Sequence, residues 1–242
     1  MKKLLLTLFI LTTTVNLSAQ SWWNSKKVRG NGKITTEKRS VGNFDEVSVG
    51  GSFDVILVDG REGEITIEGE ENIIPYIITE VKKGKLKIEV KKNTNLRFNR
   101  KLTVTVPFEK IDGIGLGGSG NVRSEKTVIG EKVSLSIGGS GNIKTKVKAS
   151  SLSTSIGGSG NIRVSGSTES MRCSIAGSGN VKAYNVTTNT LKVNVAGSGD
   201  IEATVKEKIK ATVVGSGSVY YKGNPKYIDT NSVGSGDVVK RD

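Results

Sequence analysis

One glycine–serine turn recurs seven times in this chain: "GGSGNV" at 117–122, "GGSGNI" at 138–143 and 157–162, "AGSGNV" at 176–181, "AGSGDI" at 196–201, "VGSGSV" at 214–219 and "VGSGDV" at 233–238. Its central serines are Ser119, Ser140, Ser159, Ser178, Ser198, Ser216 and Ser235, separated by steps of 21, 19, 19, 20, 18 and 19 residues. A near-constant period of this size is the signature of a solenoid, in which each repeat buries its apolar face only against its neighbours.

The columns flanking the serine give the repeat its shape. Three positions after it stand Val122, Ile143, Ile162, Val181, Ile201, Val219 and Val238. Three positions before it stand Leu116, Ile137, Ile156, Ile175, Val195, Val213 and, at the seventh turn, Ser232. Stepping back by two gives Ile114, Leu135, Thr154, Cys173, Val193, Ala211 and Thr230, and by two more Asp112, Val133, Leu152, Met171, Leu191, Ile209 and Ile228, with Ser134, Ser136, Ser153, Ser155, Arg172, Ser174, Lys192, Asn194, Lys210 and Thr212 between them. Alternation with period two means strands with one buried face. The prediction is an all-β fold, a parallel β-solenoid of about seven 19-residue coils, each running strand, glycine turn, strand, connection. At about 4.8 Å between neighbouring strands, the six steps span roughly 29 Å. Parallel crossovers favour a right-handed coil, although left-handed β-helices have repeats of similar length. Cys173 falls in the buried column and reads as an inert apolar filler.

The turn's first task is to turn. A corner repeated in every coil brings backbones close together, where glycine fits and supplies positive φ without penalty. The side chains at the corner, Ser119, Asn121, Ser140, Asn142, Ser159, Asn161, Ser178, Asn180, Ser198, Asp200, Ser216, Ser235 and Asp237, are placed to form hydrogen-bonded stacks like cross-β amide ladders. A calcium β-roll is similar at first sight, but calcium wants several carboxylate oxygens, and the position here is mostly neutral amide. No GK[ST] follows the glycines, so a phosphate loop does not fit. The chain holds no histidine, which removes the usual partner of a nucleophilic serine and the commonest general base. No metal, cofactor or catalytic residue is expected.

Upstream, "DEVSVGGSFDV" (45–55) aligns with "DGIGLGGSGNV" (112–122), setting Asp45 on Asp112, Ser52 on Ser119 and Asp54 on Asn121. A degenerate coil therefore precedes the regular ones, interrupted by an insertion with strands at 64–70, 85–91 and 101–107. Ile73, Ile74, Ile77 and Ile78 fit one helical face, but β-branching and Pro75 limit it to a short turn of helix.

Charge and leader constrain the setting. Lys2 and Lys3, an apolar run from Leu4 to Leu11 and "NLSAQ" compose a secretory signal peptide with cleavage expected after Ala19. No later stretch approaches the length of a membrane helix. With one cysteine, no intramolecular disulfide can form. The formal charge is +13 at pH 7, two of it from Lys2 and Lys3. Residues 82–101 carry nine cations, Lys82, Lys83, Lys85, Lys87, Lys91, Lys92, Arg97, Arg100 and Lys101, against Glu89. That cluster is the candidate site for an anionic ligand, unless it is only a solvated face. Trp22 and Trp23 beside basic residues would suit sugar rings or a membrane interface, or belong to a frayed terminus.

The segment "VRGNGKITTEKRSVGNFDEVSVGGSFDVILVDG" followed by repeated "GGSGNV" resembles the DUF2807 family, the putative autotransporter adhesin, head GIN domain. This resemblance covers roughly 28–242 and implies a β-solenoid-like fold, a cell-envelope location and an adhesive role, common among exported proteins of Bacteroidetes. It brings no catalytic residues. No translocator barrel, stalk or coiled coil accompanies it, which sets this chain apart from a true autotransporter.

The expected organisation is a signal peptide at 1–19, a flexible segment at 20–27, a β-rich region at 28–111 and the GSGN solenoid at 112–242. The expected function is that of a non-enzymatic exported protein, periplasmic or at the surface, binding an anionic polysaccharide or an envelope or host protein; nucleic acid is disfavoured. One alternative is a self-associating structural protein that docks through the solenoid end. Another is a polysaccharide-acting β-helix enzyme, disfavoured because the acids are scattered.

Overall fold

The computed structural model of the chain describes residues 25–242. The signal peptide, its cleavage point and Trp22 and Trp23 lie outside the described residues. Lys26 and Lys27, which the sequence places in a flexible terminus, belong to strand β1 (Lys26–Arg29).

The insertion folds around the degenerate coil. Strand β2 (Ile34–Ser40) is followed by β3 (Glu46–Gly50) and β4 (Asp54–Asp59), the two halves of that coil. Then come β5 (Glu64–Glu70), β6 (Ile77–Lys82), β7 (Lys85–Val90), β8 (Thr94–Arg97) and β9 (Thr103–Phe108). The isoleucine-rich stretch forms one 3-10 turn at Ile74–Tyr76, with Pro75 in its opening positions where its missing N–H costs nothing.

From β10 (Gly113–Gly118) and β11 (Asn121–Ser124) onward the coils are regular. They comprise β12 (Val128–Gly139), β13 (Asn142–Gly158), β14 (Asn161–Gly177), β15 (Asn180–Gly197), β16 (Ile201–Gly215), β17 (Val219–Lys222), β18 (Tyr227–Gly234) and β19 (Val238–Lys240). All pairings among them are parallel and follow the repeat: Ile137 lies on Ile156, Ile156 on Ile175 and Ile175 on Val195. The strands before each turn form one ladder and those after it a second, so the molecule is a parallel β-solenoid.

The alignment of the upstream copy holds residue for residue. Gly113 pairs with Glu46 and Asn121 with Asp54, and the Asp112 N–H donates to Asp45 O across 2.7 Å. The other side of that coil is covered by later chain. There β7 pairs in parallel with β3, and β9 with β4. Antiparallel partners close the layer, β6 on β7 and β5 on β9, with β2 on β5. The β-rich region is thus a cap whose inner layer is itself a coil of the solenoid.

Core residues come from the predicted columns. Leu135, Leu152, Cys173, Ile201 and Val219 are fully buried, continuous with Val55, Leu57, Leu86 and Val104 of the cap. Each buried branched side chain contributes about 1.5–3 kcal/mol relative to exposure. The second corner of the coil uses threonine: the Thr188 hydroxyl lies 3.0 Å from Thr190 O and 3.2 Å from Glu169 O of the coil before.

The glycines answer to two separate constraints. Gly139 has φ +147°, and a Cβ there would sit 2.4 Å from Gly118 O. Gly160 needs only the space, since a Cβ would meet Gly141 O at 2.4 Å and Ile137 Cγ2 at 2.7 Å. Between the stacked turns the backbones are too close for any side chain.

Candidate functional site

The cations of 82–101 are distributed over several elements of the cap. Lys82 ends β6 and Lys83 opens the turn to β7 with φ +54°; Lys91 and Lys92 follow the other end of β7; Arg97 closes β8; and Arg100 and Lys101 precede β9. Three have acidic partners: Lys85 reaches Glu46 at 2.6 Å, Lys87 reaches Glu80 at 3.9 Å and Lys101 reaches Asp54 at 2.8 Å. Asp54 is partly buried, which by itself would raise its pKa. The hydrogen bonds from Lys101 and Asn121 outweigh this and hold the carboxyl below its usual range.

A denser run of positive charge gathers on the strands before the turns. A groove of about 770 Å³ crosses β12 to β16 on their outer face. Its floor and walls follow from strand alternation, because residues that flank buried Val133, Leu152, Met171, Leu191 and Ile209 must point outward. One wall is the in-register column Ser134, Ser153, Arg172, Lys192, Lys210. The other is Lys132, Ser151, Ser170, Thr190, Lys208. Five cations and five hydroxyls therefore face one trough without a carboxylate in its lining.

Arg172, Lys192 and Lys210 are direct neighbours on adjacent strands. Like charges so placed repel one another, and the strand spacing of about 4.8 Å lies inside the roughly 8 Å Debye length of physiological salt. The run ends at Asp229, which Lys210 contacts at 2.8 Å. That hydrogen bond raises the Lys210 pKa and lowers that of Asp229.

The strands after the turns carry a second run. Arg123 pairs with Lys144, Lys144 with Arg163 and Arg163 with Lys182, and the next position is Glu202. Arg123 is held by Glu125 at 2.8 Å. Both runs were present in the sequence as columns recurring every 18 to 21 residues, not as a contiguous cluster, so a search for linear charge density passes over them.

At the turns themselves the ladder runs through the amides. Asn121 donates to Asp54 Oδ1 and Asn142 to Asn121 Oδ1, each across 2.8 Å, and Asn180 donates to Asn161 Oδ1 across 3.1 Å. Where Asp200 and Ser218 replace asparagine, backbone N–H groups take over as donors: Asp200 N–H to Asn180 Oδ1 at 3.0 Å, Ser218 N–H to Asp200 Oδ1 at 2.8 Å. The central serines, such as Ser119 and Ser140, are exposed, and their contribution along the stack is the backbone, as in Ser140 N–H to Gly118 O at 3.0 Å.

Among the described residues no group of three or more acidic or sulfur ligands is placed to hold a metal, and no helix is long and apolar enough to cross a membrane. The Cys173 thiol is fully buried, which pushes its pKa up to about 12.

The fold is a parallel β-solenoid with cationic, hydroxyl-lined outer faces. The chain belongs to the DUF2807 family, described as "Putative auto-transporter adhesin, head GIN domain", whose model matches residues 43–225. A comparison with curated proteins finds no match. Three crystal structures are similar. A putative adhesin from Bacteroides fragilis aligns with TM-score 0.84 at 24% identity, over 88% of this chain and 100% of its own. From Parabacteroides distasonis, a putative lipid binding protein aligns with TM-score 0.73 at 28% identity, over 90% of this chain and 100% of its own. A putative adhesin from the same organism has TM-score 0.73 at 26% identity, over 89% and 100%.

Proposed function

We propose that this protein is a non-enzymatic, exported envelope protein that holds a linear polyanion, of the acidic polysaccharide class, in the groove across β12 to β16. The observation that carries the reading is the in-register run Arg172–Lys192–Lys210 facing a column of hydroxyls. The repulsion along the run, which Asp229 offsets only at Lys210, is relieved by a ligand with anionic groups repeated along one axis, and the serines and Thr190 supply neutral hydrogen bonds between them. The rigid frame keeps the entropic cost of binding low.

Affinity electrophoresis in polygalacturonate at low salt tests this. Replacing Lys192 and Lys210 together by Gln removes two charge-assisted contacts and is expected to weaken retention about tenfold or more. Retention equal to wild type would remove the groove from the site. The lipid-binding description of the Parabacteroides neighbour names a different ligand class, and flotation with acidic vesicles run beside the gel separates the two. Protease shaving of intact cells with a periplasmic control tests surface display against periplasmic residence.

A second reading, self-association, rests on strand β18, where Tyr227, Ile228 and Val233 are 68%, 49% and 60% exposed. Light scattering that reports a monomer at high concentration would end it.

A further inference from the structure

The coils repeat in register except around β15, which shifts beside the second cationic run and again between Thr188 and Thr190. Between β14 and β15 the pairing breaks from Arg163 to Gly166, and between β15 and β16 from Ala183 to Thr187. The cause is visible in the step from Ser178 to Ser198, which is 20 residues where its neighbours are 19 and 18. The extra residue falls at Tyr184–Asn185, and a bulge of this kind re-aims side chains. It turns the outer face into a trough of about 460 Å³ in which Lys144, Arg163, Lys182, Tyr184, Asn185 and Glu202 converge. That volume lies within the roughly 300–1,000 Å³ of small-ligand sites.

The bulge is anchored. Thr204 donates its hydroxyl to Tyr184 O at 2.7 Å, and Lys222, from the coil after Thr204, stands 5.4 Å from the centre of the Tyr184 ring. The ladder cations belong to the two coils before Tyr184 and to its own. None of Lys144, Arg163 and Lys182 has an acidic partner within ion-pair distance among the described residues, whereas Arg123, at the far end of the run, does.

We infer that this trough is a recognition subsite for an anionic sugar unit, a carboxylated pyranose within a linear glycan. Three cations in register bind the carboxylates of successive units. The half-buried tyrosine offers an apolar face to a ring, as aromatic residues at wet interfaces do. Glu202 decides the class: a carboxylate at the end of the run opposes a densely charged phosphate chain, but it accepts hydrogen bonds from the hydroxyls of a sugar. Asn185 supplies both donor and acceptor for the same purpose. This rests on the polyanion reading above and adds to it a second, separately placed contact and a specificity for hydroxyl-bearing anions.

The test is calorimetric titration of the full chain with short polygalacturonate oligomers and with their methyl esters. Tyr184→Ala and Arg163→Gln, checked for native circular dichroism, are each expected to weaken oligomer binding about tenfold. Lys110→Gln, an exposed charge change away from both troughs, should leave it within about twofold, and the methyl esters should not bind. Since Arg163 is exposed, its variant keeps the test valid if Tyr184→Ala fails to fold. Oligomer binding that survives Arg163→Gln, or methyl esters that bind as well as the acids, would overturn the subsite. Retention of long polymer that depends on Lys192 and Lys210 alone, with oligomers bound nowhere, would overturn the subsite and leave the groove standing. Failure of both oligomer and polymer to bind would end both.

Discussion

The side-chain amide of Asn161 donates to Asn142 Oδ1 across 3.0 Å, one coil below, while its own Oδ1 accepts from Asn180. One residue thus ties three consecutive coils at the corner where the chain reverses. Asn161→Ala removes both bonds, and because the ladder is partly exposed, water replaces some of what is lost. The expected destabilisation is about 1–2 kcal/mol, read as a lower urea midpoint with an unchanged slope.

Two glycines of neighbouring turns should respond differently. Gly160→Ala forces a methyl group against Gly141 O and Ile137, and a loss of about 3 kcal/mol or a failure to fold is expected. A Cβ on Gly138 meets nothing within 4 Å, and its stack-mates further along are Ala176 and Ala196. Gly138→Ala should therefore stay within about 0.5 kcal/mol of wild type. Thermal unfolding of the pair checks the packing account.

Acid should loosen the cap at Glu70. This side chain is 1% exposed and accepts from the backbone N–H groups of Gly32 at 2.7 Å, Asn99 at 2.9 Å and Arg100 at 3.2 Å. Burial alone would raise its pKa, but the three N–H donors together outweigh it and hold the carboxyl below the usual glutamate range. A lowered folded-state pKa gives stability that is complete above the unfolded value of about 4.3 and is lost as the pH falls through the folded one. Glu70→Gln, which keeps only one acceptor oxygen, should cost about 1–3 kcal/mol near neutrality. It should also flatten the acid limb of the stability curve.

The Cys173 thiol should be silent to a thiol reagent until the coils open. With its pKa near 12 and no accessible surface, the thiolate that would react is absent from the folded protein at pH 8. Labelling at the rate of global unfolding is the expected result. Faster labelling would mean that β14 opens locally.

Most of the solenoid was legible because its signal repeats. Ile137, Ile156 and Ile175 announce the same buried site three times, and the alignment of Asp54 on Asn121 located the irregular coil. The direction in which the insertion stacks was not legible. Nothing local in "KLKIEVK" says that Leu86 and Ile88 will lie on Val47 and Val49, beyond an alternation that any half-buried strand shares. The cationic columns escape a linear reading for a related reason. Lys82 through Lys101 are close along the chain and fall on β6 to β8 and the loops around them. Arg172, Lys192 and Lys210 are far apart along the chain and adjacent in space. In a solenoid, charge must be counted down the columns.

The interleaved cap has a consequence for how the molecule is made. The layer formed by β3 and β4 has β7 and β9 on one side and β10 and β11 on the other, so every parallel neighbour it will have lies later in the chain. A polypeptide emerging amino end first, from a ribosome or through a membrane pore, has no template to build on until the residues through Phe108 have appeared. After that point each new coil finds a finished edge waiting and needs to close a loop of only about one repeat, a small entropic step. Assembly should therefore be slow to start and quick to extend, with a commitment point inside the cap and not in the glycine repeats that dominate the sequence.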